Sequence, residues 1–434
     1  MQPEPLSLIA TCDLVAAVRG RAVRARDLDA HLEAGVGWVP ADLSLNAFGS
    51  IVDPNPFGSI GDLRLVPDIA SRVRVDLGGA TPFDVVLADL REPDGAPWSA
   101  CPRLFLKGAL ADLEAETGLQ VRASFEQEFQ MPVGDPVAPP FSLESLRRAE
   151  PFPSLVMAAL EEAGLEPEMF VPEYGESQYE IPVAPAVGVA AADRAVLARE
   201  LVREAARACG FRASFTPIAD PDGGGNGVHI HVSLVDKSGA SAMGAGGELS
   251  ATAGAFAAGI LRHSRALVAL TAPTPVSFVR LQPHRWSAGI AALADGNREA
   301  LLRIPGATTI GGRSADPQLR LEYRAADATA SPHIALGAIV RAGLAGIRDG
   351  LEPPRVLHGD HDALDAAALA AYVPTALPAT LDEALDALET DPVAAAWLPP
   401  LLLEAYLGEK RWELAQAAAD ADVRATCARY AAAY

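Results

Sequence analysis

Four short segments place ionisable or polar side chains two residues apart inside otherwise apolar runs. They are Phe125-Glu126-Gln127-Glu128-Phe129, Ser177-Gln178-Tyr179-Glu180-Ile181, Val228-His229-Ile230-His231-Val232 and Leu321-Glu322-Tyr323-Arg324. In a strand, residues i and i+2 share a face. The shared face here is carboxylate, imidazole and guanidinium, where an ordinary strand would present Val or Leu. So many ionisable groups can be buried together only if cations or charged ligands compensate them. The pattern therefore predicts a sheet with a metal-centred active site on one face.

Taken singly, each signal has a plain alternative. An isolated Glu-x-Glu is commonly a solvated strand face, and the Asp222-Gly223-Gly224-Gly225-Asn226-Gly227 run before His229 and His231 could be a hairpin turn. His-x-His on a strand puts two imidazoles on one side, a common metal or phosphate arrangement, and the glycines would let backbone approach a ligand closely. Arg280, Arg298, Arg303, Arg320 and Arg324 crowd one stretch among apolar neighbours, and interior arginines need anions as partners. Glu126, Glu128, Glu173, Glu180, Glu322 and His229 form an oxygen-rich set suited to Mg²⁺ or Mn²⁺ rather than zinc. Two divalent ions beside an arginine cluster point to phosphoryl transfer. No P-loop, HExxH or GxSxG motif is present.

The chain has 434 residues and a formal net charge of −21, so excess cationic charge for nucleic acid or an anionic membrane is lacking. Its four cysteines form no CxxC pair, no run of 18 apolar residues occurs, and the first residues lack a basic leader region. Those features fit a soluble protein of the reducing cytoplasm. Up to about Asp94–Pro97 the sequence alternates strand candidates (Leu6–Cys12, Arg21–Ala25, Leu63–Val66, Arg72–Leu77, Phe83–Leu90) with turns and one short helix near Leu28–Glu33. Helices are predicted at Arg103–Glu116, Pro153–Ala163, Ala190–Cys209, Ala251–Leu270 and Pro332–Arg348. A helical C-terminal region follows (Leu381–Leu388, Ala394–Tyr406, Arg411–Tyr434). Pro132–Pro140 is predicted as a Pro-rich loop and Glu144–Glu150 as a polar one.

In combination these motifs resemble the glutamine synthetase family, from near the start of the chain to about residue 350. In order, they are Pro102-Arg103 with Leu106-Lys107; Glu126-x-Glu128-Phe129; Glu173 with Gln178-x-Glu180; Gly225 to Ser233; Arg280-Leu281; Asn297-Arg298 with Arg303-Ile304-Pro305; and Arg320-x-Glu322-x-Arg324. The resemblance implies an α+β fold: an N-terminal β-grasp domain over residues 1–100 and a catalytic α/β domain over 101–434 with a curved antiparallel sheet. It implies that Glu128, Glu173 and Glu180 hold one divalent ion and that Glu126, His229 and Glu322 hold a second, with a third possible. Arg280, Arg324 and Gly225 would grip glutamate. Arg298, Arg303, Arg320, His231 and Ser233 would face ATP, with Arg298, Arg303 and Arg324 serving the chemistry. A homo-oligomer is implied, a hexameric ring or a dodecamer, with active sites between subunits.

The departures bear on the nucleophile. Trp286 stands where glutamine synthetases carry a flap glutamate, and around Phe57-Gly58-Ser59-Ile60 only a trace of the ammonium-site loop remains. Gly224 replaces a typical asparagine, and Ile218 a typical lysine. An aromatic residue could pack against the carbon skeleton of an organic amine or stack on its ammonium. The expected activity is thus ATP-dependent condensation of glutamate with a primary amine, Trp286 contributing to the substrate site. Alternatives are an ammonium-using glutamine synthetase, a non-catalytic ring protein and a metal-dependent hydrolase.

Overall fold

Near-continuous burial along Leu6–Cys12 (β1) and Phe83–Arg91 (β6) puts these two strands at the middle of the first sheet, completed by Val18–Arg24 (β2), Val36–Trp38 (β3), Leu63–Pro67 (β4) and Val73–Val75 (β5). Its order is β2-β1-β6-β4-β3, with β5 also pairing with β6. The β1–β6 pair is parallel and the others are antiparallel. The structure, a computed structural model, describes every residue except Met1, Asp135, Pro136, Gly247 and Pro374. The expected loop over Pro132–Pro140 therefore lies partly outside the described residues.

The second sheet carries all four segments singled out above. Its strands are Gln120–Gln130 (β7), Val171–Pro172 (β8), Gln178–Pro182 (β9), Ala186–Val187 (β10) and Val228–Val235 (β11); then, after a small hairpin of Gly244–Ala245 (β12) and Glu248–Leu249 (β13), Ile290–Asp295 (β14), Ala300–Ile304 (β15), Leu321–Tyr323 (β16) and Val356–His358 (β17). The order is β17-β14-β15-β16-β11-β7-β9-β8, with β10 beside β7. From β15 to β8 every pairing is antiparallel. The sheet is mixed at its far edge, where β14 runs parallel to both β15 and β17.

On β7 the odd-numbered residues Val121, Ala123, Phe125, Gln127 and Phe129 are buried and the even-numbered ones are half-buried. Phe129 sits in an aromatic cluster with Phe152, Tyr179 and Phe215 at centroid distances of 6.0, 5.9 and 5.2 Å. Gln127 on the same face donates to the Ala195 carbonyl of helix Val189–Ala208 at 2.6 Å. Helices thus cover one face of the sheet and leave the carboxylate face open.

Helices Pro102–Thr117, Phe152–Glu162, Val189–Ala208 and Pro332–Arg348 form within a residue or so of their sequence-predicted limits. The single helix expected over Ala251–Leu270 breaks at His263, whose ring is held by Asp391 at 2.6 Å, giving Ala251–Arg262 and Ser264–Thr271. The C-terminal stretch likewise divides into Leu381–Thr390, Pro392–Ala395, Pro400–Ala418 and Val423–Ala433. Asp422 caps the last helix by accepting from the Ala425 N–H at 2.8 Å, which favours a start there over one continuous helix. The polar loop expected at Glu144–Glu150 contains helix Leu143–Arg148, capped by Ser142.

Arg103 joins the two sheets' surroundings. Its guanidinium donates to Asp89 on β6 at 2.7 Å, to Asp68 at 2.8 Å and to Asp193 of helix Val189–Ala208 at 2.7 and 2.9 Å. All four cysteines are free. Among the described residues no helix is long and apolar enough to cross a membrane.

Candidate active site

Strand register brings the scattered motif residues together. Glu180 on β9 pairs with Glu128 on β7, and Glu126 on β7 pairs with His229 on β11. His231 on β11 pairs with Glu322 on β16, which pairs in turn with Arg303 on β15. A band of ionisable side chains therefore crosses five adjacent strands. His229 faces three carboxylates, its ring nitrogens lying 3.4 Å from Glu126, 3.8 Å from Glu128 and 3.9 Å from Glu322.

Two groups have donor atoms close enough to share an ion: Glu126 with Glu180 and His229, and Glu126 with His231 and Glu322. This grouping differs from the triads that the family resemblance implies, because Glu126 belongs to both sets and Glu128 and Glu173 to neither. Glu128 Oε2 is already engaged, accepting from the Gly227 N–H at 2.8 Å and from Gln178 Nε2 at 3.0 Å. Glu173 lies in the turn after β8, its main-chain N–H donating to the Gln178 carbonyl at 2.8 Å.

The electrostatics show what the carboxylates lack. Burial, with repulsion from Glu126, Glu128, Glu173 and Glu322, pushes the Glu180 carboxyl up to about 9. Burial and Glu128 raise Glu173 as well. For Glu126, burial is outweighed by His229 and His231, which hold its carboxyl well below the usual range. Burial of Glu322 is similarly outweighed by His229, Arg324, His231 and Arg303. Crowded oxygens that raise one another's pKa are the donor set a divalent cation would satisfy, since its charge inverts that repulsion. The residues present fit such an ion.

The arginines divide into committed and free groups. Glu322 accepts from Arg303 at 2.5 Å and also from Arg324. Arg324 further donates to the carbonyls of Arg298 at 2.9 Å and Trp286 at 3.0 Å. Arg280 is buried and donates to the carbonyls of Arg324, Ala325 and Ala326 at 3.1–3.2 Å. It braces the segment after β16 and packs under the glycine loop: a Cβ at Gly225 would lie 2.8 Å from its Cγ, and one at Gly227 2.4 Å from its Nη2. Arg298 is exposed, and no hydrogen bond or ion pair holds its guanidinium among the described residues. Ser233 is buried two residues beyond His231.

Arg320 Nε donates to His231 Nδ1 at 3.0 Å. A guanidinium can only donate, so Nδ1 is an acceptor and the neutral ring carries its proton on Nε2. That nitrogen is buried and lies 2.8 Å from Glu126 Oε1. In this tautomer His231 offers a donor to an anion rather than a lone pair to a metal.

Three residues to which the sequence reading gave no role also shape the site. Gln178 Nε2 also donates to the Gly225 carbonyl at 2.9 Å and Asn226 Oδ1 at 3.0 Å, pinning the glycine loop to β9. Asn226 in turn donates to the Thr216 carbonyl at 2.8 Å. Glu299, nearly buried, accepts from the backbone N–H groups of His284 at 3.1 Å and Trp286 at 2.7 Å. Gln178 and Asn226 lay inside recognised motifs, whereas a single glutamate such as Glu299 carries no periodic signal.

The clustered carboxylates and imidazoles, the arginines beside them and the glycine loop fit one class: a ligase that activates a carboxylate with a nucleotide phosphate. Comparison with known proteins agrees. The models for the glutamine synthetase catalytic domain and the glutamine synthetase N-terminal domain match residues 99–425 and 1–98. Gamma-glutamylpolyamine synthetase GlnA3 of Streptomyces coelicolor is 35% identical over 422 residues, covering 94% of this chain and 89% of that protein. A glutamine synthetase of Pyrococcus abyssi is 32% identical over 334 residues, 74% and 73% of the respective chains. A crystal structure of a novel glutamine synthase homolog gives a TM-score of 0.91 at 43% identity, covering 100% of this chain and 99% of that one. Ligand-free GmaS gives 0.82 at 26%, with coverage of 97% and 96%. The chain belongs to the glutamine synthetase family. It is an ATP-dependent ligase that forms a C–N bond; members of this family use glutamate, an amine and divalent metals and form oligomers.

Proposed function

We propose that this chain joins the γ-carboxylate of glutamate to an organic primary amine, giving a γ-glutamyl amide. The observation that carries this reading is Trp286: the loop position where family resemblance expects a flap glutamate holds an exposed aromatic ring, 66% accessible. The 35% identity to a gamma-glutamylpolyamine synthetase over nearly the whole chain supports it.

The proposed division of labour follows the band across the sheet. Glu126, Glu128, Glu173, Glu180, His229 and Glu322 would hold two Mg²⁺ or Mn²⁺ ions, which when bound neutralise charge on the transferred phosphoryl group. His231, through its Nε2–H, and Arg320, Arg298, Arg303 and Ser233 would receive the ATP phosphates. Among the described residues no hydrogen bond or ion pair holds the Arg298 guanidinium, which leaves it to meet the transferred group. Arg324 and the Gly225 backbone would orient glutamate, with Arg280 acting from beneath by supporting both. A glutamate γ-oxygen displaces ADP from the γ-phosphorus. The amine nitrogen then attacks the carbonyl carbon, phosphate departs with the C–O electron pair, and the nitrogen gives up a proton.

The test is phosphate release by purified protein with glutamate, ATP and Mg²⁺ across a panel of amines, with mass detection of the product. Faster release with some organic amine than with ammonium is expected. Ammonium as the best substrate would instead assign the chain as a glutamine synthetase.

A further inference from the structure

Tyr174 and Trp286, both large and both more than 60% exposed, lie side by side. Their ring centroids are 6.2 Å apart and the planes are inclined by 31°. The two rings come from different loops, and each loop is tied to the site. Tyr174 follows Glu173 directly, and its N–H donates to the Glu173 carboxylate at 3.1 Å. Trp286 receives Arg324 on its carbonyl at 3.0 Å, and Arg324 also binds Glu322.

Both loops are braced, so the pair is preorganised. Trp286 and His284 adopt left-handed backbone conformations, φ 53° and 63°, which are unfavourable for bulky residues. The Glu299 carboxylate holds both of their N–H groups. Arg285 donates to the carbonyls of Pro221 at 2.7 Å and Gly223 at 3.3 Å, tying the Trp286 loop to the glycine loop. On the other side, Gln178 Oε1 accepts from the Gly175 N–H at 2.8 Å, and a Cβ at Gly224 would lie 3.2 Å from the Gly175 Cα. Two solvent-exposed aromatic rings carried on braced backbone beside an active site are unusual without a ligand to cover them.

We infer that Tyr174 and Trp286 form one aromatic wall of the amine subsite and select primary amines with a carbon chain over ammonium. This rests on the γ-glutamyl-amide reading and adds its specificity determinant. Side-by-side rings at this spacing leave no room for a ligand between them. The methylenes or aryl group of the amine lie across both faces, while its nitrogen points toward the carboxylates below. A compact ammonium ion reaches neither ring.

The experiment measures kcat/KM for ammonium, methylamine and n-butylamine in the wild type, Tyr174→Ala, Tyr174→Phe and Trp286→Ala, with KM for glutamate and ATP as controls. Tyr174→Ala and Trp286→Ala are expected to lower n-butylamine efficiency on the order of tenfold or more, the range an apolar contact supplies. In both variants ammonium efficiency should fall by less than n-butylamine efficiency, so that the preference collapses, and Tyr174→Phe should retain the wild-type preference. If the wild type prefers n-butylamine and Tyr174→Ala keeps that preference, the wall is refuted while the amide-ligase reading stands. Loss of the preference in Tyr174→Phe would also refute it, because the hydroxyl and not the ring face would then be the contact. Ammonium as the best wild-type substrate removes both readings.

Discussion

Glu322 ranks first among single residues because it accepts from Arg303 and Arg324 while facing His229. Glu322→Ala is expected to abolish phosphate release with every amine, and to cost about 3–5 kcal/mol of stability by leaving two cations uncompensated. Glu322→Gln keeps hydrogen-bonding capacity, so its loss should fall on activity, about 100-fold or more in kcat; near-normal kcat in a folded Glu322→Gln protein would dismiss its assigned role. Glu299 is a positioning residue acting through Trp286. Glu299→Gln removes one of two acceptors, and KM for the organic amine should rise while KM for ATP and glutamate holds. Glu322 was legible because it stands in an alternating apolar frame. Glu299 was not, because its value lies in two backbone N–H groups that only a loop conformation presents to it.

Among the elements, β7 shows how a two-residue period divides work between faces. Its odd residues anchor the aromatic core, and Phe129→Ala should cost about 3–5 kcal/mol in denaturant unfolding. The glycine loop entering β11 is the tightest element of the site. Gly227→Ala would push a methyl to 2.4 Å from Arg280 Nη2 and 3.3 Å from His229 Nε2. Displacing Arg280 releases the Arg324–Ala326 carbonyls, so this variant should lose activity beyond what its change in melting temperature explains. Element existence was readable from period and composition; the break at His263 was not. It depends on Asp391, 128 residues later in the chain.

For the whole molecule, divalent metal and pH give two global tests. Stripping cations with a chelator should abolish phosphate release, and adding Mg²⁺ back should raise the melting temperature in a concentration-dependent way. Glu409 lies between the C-terminal helices and the N-terminal region, buried with neither carboxylate oxygen hydrogen-bonded. Burial pushes its carboxyl from 4.5 up to about 8, with Lys410 and Arg19 opposing and Glu413 and Asp13 adding to the rise. As pH climbs from about 4.5 to about 8 the unfolded chain ionises this group while the folded chain keeps it neutral. Stability therefore falls across that window, by a few kcal/mol at most. Glu409→Gln should flatten that slope in unfolding measured at pH 5 and pH 8.

The sequence by itself determined the family and the strand faces that carry the ionisable side chains. Those follow from side-chain period and residue type, which are local. Only the tertiary structure decided which carboxylates share a neighbourhood, that Arg320 fixes the His231 proton, and that Arg280 is spent on backbone carbonyls. It alone brought Tyr174 beside Trp286, 112 residues apart in number. Such facts depend on strand order and loop anchoring, where partners distant along the chain compete for the same donors, and no short-range pattern records the outcome.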